Sequence, residues 1–263
     1  MYLNFLSMKT KFLNLLLVCC FCLVLANEEF CPQNCECKRS VAQKGPADFL
    51  KLKCGDTEKI TELDEIGLSN IASEIIQFNL SNNLLTLFEP KIQLIALQKL
   101  DLSRNQLKYL SKDQFSELPN LRRLDISQNL ISQIDIFSFS NLKKLERLKL
   151  NLNQISFLLE GTFDPLISLK QLEIANNPLI CDCGSLWLLD WSQKTSVKLV
   201  SNPKCGSPQS LKGLPLRKLK LSRDKDCTNA HKYGGASIVV LKPFDKQIVF
   251  EGIPSNYNVK HLL

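Results

Sequence analysis

Apolar residues return at fixed offsets through the middle of this chain. Between Ile75 and Asn177 one eleven-residue phrase, L-x-x-L-x-L-x-x-N-x-L, is written five times. The first three copies run through Ile75, Phe78, Leu80, Asn83, Leu85; Leu97, Leu100, Leu102, Asn105, Leu107; and Leu121, Leu124, Ile126, Asn129, Ile131. Two more follow at Leu145, Leu148, Leu150, Asn153, Ile155 and, with the tail replaced, at Leu169, Leu172, Ile174, Asn177. The asparagines fall 22, 24, 24 and 24 residues apart, so a single structural unit is repeated. The central L-x-L of each unit alternates apolar and polar with period two, which predicts a short strand with its leucines turned inward and the residues between them turned out.

A period of roughly 20 to 29 residues with this consensus is that of a leucine-rich repeat. The predicted fold class is therefore an α/β-type repeat, a leucine-rich repeat solenoid whose stacked strands make a curved parallel sheet. Where the chain leaves each strand, backbone groups would be buried unpaired, which is costly. An asparagine amide has two donors and an acceptor and can bond the turns above and below it. Asn83, Asn105, Asn129, Asn153 and Asn177 are predicted to form an internal ladder of this kind. Phe115, Phe139 and Phe163 each precede a leucine by three, and Phe88 holds the same place in the first copy, which predicts an aromatic spine on the convex side.

A solenoid has two open ends that need caps. Residues 1–26 carry Lys9 and Lys11, an apolar run from Phe12 to Leu25 interrupted only by Asn14, and a Val24-Leu25-Ala26 end, and are predicted to be a secretory signal peptide. That run is shorter than the roughly 20 residues a membrane helix needs, and no later stretch reaches that length. The chain as written is expected to be secreted or extracellular, with no membrane anchor and with its cysteines in an oxidising compartment. Of the 11 cysteines, Cys19, Cys20 and Cys22 lie in the leader. The other eight bracket the repeats as Cys31, Cys35, Cys37, Cys54 and Cys181, Cys183, Cys205, Cys227. Four at each end is what two stapled caps require, and spacing alone leaves three connectivities in each group. Zinc is the competing use of such pairs; secretion and the lack of a nearby histidine count against it.

Cys31-Pro32 through Cys54 resembles the N-terminal cap of extracellular leucine-rich repeat proteins. Asn177-Pro178-Leu179-Ile180-Cys181-Asp182-Cys183, followed by Leu186-Trp187-Leu188-Leu189-Asp190-Trp191, resembles their C-terminal cap. The resemblance implies pairing of first with third and second with fourth cysteine: Cys31 to Cys37, Cys35 to Cys54, Cys181 to Cys205, and Cys183 to Cys227. The gap before Cys54 is longer than usual in such caps, which implies an inserted loop near Ala42 to Asp48. Apart from any resemblance, Leu186, Trp187, Leu189 and Trp191 recur at helical spacing and predict a short helix laid as a lid over the last repeat, with both tryptophans packed in it.

The expected organisation is a signal peptide over 1–26, an N-terminal cysteine-rich cap over 27–72, about five repeats over 73–176, a C-terminal cysteine-rich cap over 177–228, and a linker with an incomplete immunoglobulin-like start over 229–263. Within that tail Ile238-Val239-Val240-Leu241 reads as a short strand, and Lys242 to Gly252 resembles the opening strands of an immunoglobulin-type domain. Only 22 residues remain from Lys242, against roughly 100 for a whole sandwich, so a truncated chain or a short product is expected. The order of parts, with Gln247-Ile248-Val249-Phe250-Glu251-Gly252 as its specific stretch, is similar to the N-terminal region of the subfamily A adhesion G-protein-coupled receptors. That likeness implies the ligand-recognition end of an adhesion-type cell-surface receptor. Two other readings are a secreted or matrix leucine-rich repeat protein acting as ligand or trap, and the N-terminal adhesive part of a peroxidasin-like enzyme.

Function is expected on the concave face, where side chains leave the regular sheet away from the core. Gln77, Lys99, Arg123, Arg147 and Gln171 form one column there, and Asn79, Asp101, Asp125, Lys149 and Glu173 a second. One account is a solvated face in which Lys99, Arg123 and Arg147 pair with Asp101 and Asp125. The other is a surface for an extracellular protein ligand, carried by Lys99, Asp101, Arg123, Asp125, Arg147, Lys149, Gln171 and Glu173. Asn79-Leu80-Ser81 is an N-glycosylation sequon on the same face, so a glycan there would close the N-terminal end of the concavity. A second candidate surface, for a glycosaminoglycan, is the basic run Lys212, Arg217, Lys218, Lys220, Arg223 and Lys225, set against a single acid, Asp224. The formal charge of +7, which includes the leader, is too mild to argue for nucleic acid. His231 and His261 lie in the tail, and neither a phosphate loop nor a metal triad is present, so neither catalysis nor a cofactor is expected.

Overall fold

The computed structural model describes residues 31–40 and 49–219, and the architecture below is that of the unit beginning at Gln33. The predicted signal peptide over 1–26, the expected loop insertion near Ala42 to Asp48, Cys227 and the expected linker and immunoglobulin-like start over 229–263 lie outside the described residues.

Each L-x-L segment forms a strand, and the strands stack side by side. The sheet contains β1 (Cys35–Ser40), β2 (Phe49–Cys54), β3 (Ile75–Asn79) and β4 (Lys99–Asp101). It continues, past a short β5 (Tyr109–Leu110), through β6 (Arg123–Asp125). Beyond β7 (Gln133–Ile134) it ends with β8 (Arg147–Lys149), β9 (Gln171–Glu173) and β10 (Lys198–Val200). β1 runs antiparallel to β2, and the other neighbours in this sheet are parallel. β5 and β7 pair with each other in a second, two-stranded parallel sheet. The long sheet reaches past the five repeats at both ends, because the cap strands β2 and β10 join it in parallel.

Alternation fixes the faces. Phe78, Leu100, Leu124, Leu148 and Leu172 are register partners turned inward on successive strands and are no more than 2% exposed. Behind them Phe88, Phe115, Phe139 and Phe163 are buried, with ring centroids 6.0, 6.2 and 6.0 Å apart along the series. Such contacts contribute about 0.5–1.5 kcal/mol each beyond the area they bury. The series runs on into the lid: Phe163 lies 6.0 Å from Trp187 and 5.4 Å from Trp191.

Asn83, Asn105, Asn129, Asn153 and Asn177 are buried at one phase of the repeat. Each carboxamide joins two turns. At Asn129 the Oδ1 accepts from the Leu107 amide at 3.1 Å, while Nδ2 donates to the carbonyls of Leu102 at 2.9 Å and Ile126 at 3.1 Å. Asn83 makes the same connection to the N-terminal cap, accepting from Ile60 N and donating to Cys54 O and Leu80 O. The backbone amide and carbonyls that a tight turn strands in the interior are thereby satisfied.

The ends are closed covalently and by packing. Cys35 is bonded to Cys54, and Cys181 to Cys205, while Cys31, Cys37 and Cys183 are also disulfide-bonded. Helix α1 (Leu186–Thr195) covers the last repeat, and Trp187 Nε1 donates to the Leu158 carbonyl at 3.1 Å. The lid differs from the sequence expectation at one position. Leu186, Trp187, Leu188 and Trp191 are its buried residues, while Leu189 is only half-buried. The bulk of the two indoles, both turned onto Phe163, sets the rotation of this short helix and brings Leu188 under it.

Candidate protein-binding surface

The parallel register aligns the outward residues of the sheet into two rows. Gln77, Lys99, Arg123, Arg147 and Gln171 are successive partners, as are Asn79, Asp101, Asp125, Lys149 and Glu173. Both rows therefore lie on the face turned away from the core, about two residues apart along each strand, or roughly 7 Å.

The second row is tied down from beneath. Asp101 Oδ1 accepts from the Ser103 amide at 2.9 Å and the Ser103 hydroxyl at 2.6 Å. Asp125 Oδ1 does the same with Ser127, at 3.1 and 2.6 Å. Asn79 repeats the turn with an amide, its Oδ1 accepting from Ser81 N at 2.8 Å. One repeat later Lys149 stands where these carboxylates stood and reaches across to Asp125 Oδ2 at 3.1 Å. Hydrogen bonding to Asp125 holds the Lys149 ammonium above its ordinary value, against a partial desolvation that acts the other way. Asn151, at the phase of Ser103 and Ser127, then has no carboxylate before it, and its Oδ1 is buried without a hydrogen bond.

The first row behaves differently from the paired account. Lys99, Arg123 and Arg147 do not pair with Asp101 or Asp125; Asp125 takes Lys149, and Asp101 takes Ser103. Along a strand, the residues flanking an inward leucine share a face but stand roughly 7 Å apart, whereas Lys149 lies directly beside Asp125 on the next strand, about 4.8 Å away. Arg123 and Arg147 are exposed, and Lys99 is half-buried. One residue earlier in the phrase the charges do pair: Glu146 accepts from Arg122 at 2.7 Å and from Lys170 at 3.1 Å. These two partners, Lys170 first, hold the Glu146 carboxyl below its ordinary value.

The same arithmetic reaches two cations that the five-copy phrase leaves out. Lys51 is the partner of Gln77, and Lys198 is the partner of Gln171. Leu50-Lys51-Leu52 and Val197-Lys198-Leu199 carry the apolar-polar-apolar signal of a strand, but without the asparagine that marks a repeat.

The comparisons with known proteins agree with this geometry. A family model described as Leucine rich repeat matches residues 92–131 and 119–179. The fold is a leucine-rich repeat solenoid. A solved structure described as an octameric complex of Latrophilin 3 (Lec, Olf), Unc5D (Ig, Ig2, TSP1) and FLRT2 (LRR) contains a similar chain, with a TM-score of 0.55 and 30% identity. The likeness covers 63% of this chain and 52% of that one, so this chain spans about half the length of its solved relative. In all, 347 chains of solved structures match, which makes the solenoid a widely shared frame rather than a pointer to one partner. No curated protein matches the sequence. Of the second basic patch, Lys212, Arg217 and Lys218 are exposed at the C-terminal cap, and Lys220, Arg223 and Lys225 lie outside the described residues.

Proposed function

We propose that this chain is an extracellular protein-binding module, the ligand-recognition end of an adhesion-type cell-surface receptor, and that it binds through the concave face between Lys99 and Glu173. The observation that carries the reading is the row Lys99, Arg123, Arg147: three adjacent cations on a rigid sheet, none of them in an ion pair among the described residues. A charged side chain left without a partner on an ordered scaffold has its interaction free energy still to offer to a partner. The similar leucine-rich repeat chain was solved in a complex with other proteins, which supports a protein ligand. Disulfides at both ends support an oxidising, extracellular setting. The narrower assignment to a subfamily A adhesion receptor rests on the resemblance of Gln247 to Gly252.

The test is charge reversal. Arg123→Glu with Arg147→Glu is expected to abolish binding of the secreted chain to cells that bind the wild type, with an unchanged melting temperature, because neither side chain supports the fold. Retained binding by the double variant would move the contact to the caps or the convex side.

A further inference from the structure

The cationic row is longer than the repeats. Read across the register, the outward positions of seven consecutive strands are Lys51, Gln77, Lys99, Arg123, Arg147, Gln171 and Lys198. Five are cations, two are neutral amides, and none is acidic. None of the five cations is in an ion pair among the described residues, while nearby lysines outside the row are: Lys53 with Asp56, Lys149 with Asp125, Lys170 with Glu146. At about 4.8 Å per strand the row is roughly 29 Å long.

From this we infer that the row binds an extended acidic segment of a partner protein, laid across the strands from Lys99 to Lys198 and reaching Lys51 in the form without a glycan on Asn79. The inference rests on the concave-face reading above and names the chemistry of its ligand. An extended chain advances about 3.3 Å per residue, so roughly nine residues cover the row. Side chains on one edge of such a segment recur about every 6.7 Å, which places four or five carboxylates along the five cations. The adjacent row selects a narrow polypeptide over a broad polyanion. Asp101 stands roughly 7 Å from Lys99, and Glu173 flanks Gln171 between the strands of Arg147 and Lys198, so both would repel a ligand charged on all sides, such as a sulfated polysaccharide. A peptide can turn its acids to one row and its hydroxyl, amide or basic groups to the other.

The experiment uses the full secreted chain and three probes: a ten-residue peptide alternating Glu and Thr, its Gln-Thr counterpart, and a heparin oligosaccharide. At low ionic strength the Glu peptide is expected to bind and the Gln peptide not, with the affinity falling as salt is raised. Arg123→Gln with Arg147→Gln should weaken the Glu peptide by about tenfold, since two exposed charge contacts are lost. Lys212→Gln, Arg217→Gln and Lys218→Gln together, which remove cap charge outside the row, should leave it unchanged. No binding of the Glu peptide to the wild type, equal loss in the cap variant, or row-dependent binding of heparin without the peptide would each overturn the inference. Reversal of Arg123 and Arg147 that abolished cell binding while the Glu peptide failed would leave the concave-face reading standing and remove only the acidic segment.

Discussion

Gly55 and Asn83 share a space that only one side chain can fill. A Cβ on residue 55 would fall within the Asn83 carboxamide, and Gly55 also holds φ at 92°, a region that L side chains rarely adopt. The glycine is what lets the first rung of the asparagine ladder reach Cys54 O on the cap while accepting from Ile60 N. Gly55→Ala should displace the Asn83 amide and orphan those groups, at a cost of about 2–4 kcal/mol read as a lower urea midpoint.

Within the array, Asn129 isolates what a single rung contributes. Asn129→Ala leaves Leu107 N unpaired in the core and takes one of two asparagine donors from each of Leu102 O and Ile126 O, which keep Asn105 Nδ2 and Asn153 Nδ2, and is expected to cost about 1–3 kcal/mol. Asn129→Asp should cost more, because a carboxylate donates nothing to the two carbonyls and brings in buried charge. Lys143→Ala, at an exposed position of the same repeat, should stay within about 0.5 kcal/mol of wild type. Equal midpoints for the alanine variants at 129 and 143 would show that the rungs do not hold the stack.

The residue before each rung adopts a left-handed backbone: Asn82, Arg104, Gln128, Leu152 and Asn176 have φ of 60, 58, 55, 58 and 57°. Asparagine tolerates this region, and leucine does so poorly. Leu152 is also 44% exposed, so little packing offsets its strain. Leu152→Asn should raise stability by about 0.5–1 kcal/mol, and Leu152→Val should lower it, both measured by thermal unfolding.

The repeat frame was legible because its signal is phase, and phase survives in a single sequence. Asn83 and Asn105 occupy the same turn because they occupy the same letter, and Phe115 and Phe139 meet for the same reason. What phase does not encode is reach. Whether Asp125 takes Arg123 or Lys149 depends on which side chains lie side by side across strands, and the letters of one repeat are silent on that. Lys51 and Lys198 were hidden for a related reason: their strands belong to the caps, where the L-x-L alternation persists but the asparagine does not. Leu188 in place of Leu189 reflects the packing of two large rings on Phe163, which an apolar stripe of four adjacent candidates does not resolve.

Glu146, held between Arg122 and Lys170, gives the surface a pH-sensitive contact. Its folded pKa lies below the ordinary glutamate value, so its contribution is present above that value and lost as pH falls through the folded one. Glu146→Gln should therefore lower the melting temperature slightly at neutral pH and low salt. The difference should close on acidification and also in high salt, because the pairs are exposed and screened. A gap that persisted in acid would assign the loss to packing of the side chain instead.

Asn79 sits at the letter that Asp101 and Asp125 hold in the next two repeats, and its Oδ1 makes the same bond to the serine two residues on. The amide nitrogen is what distinguishes it, and it is also the atom to which an N-linked glycan attaches. Because the acceptor is tied to Ser81 N and the half-buried side chain lies on the open face of the sheet, a glycan can be carried without breaking the turn. Glycopeptide mass spectrometry of the chain secreted from animal cells is expected to find Asn79 occupied. Asn79→Asp should abolish the modification while leaving the melting temperature of the enzymatically deglycosylated protein unchanged, since deglycosylation by an amidase also leaves aspartate there. Ser81→Thr, which keeps the sequon, should remain modified. An unoccupied Asn79 in the secreted chain would mean that the whole row, from Asn79 to Glu173, is open to a partner.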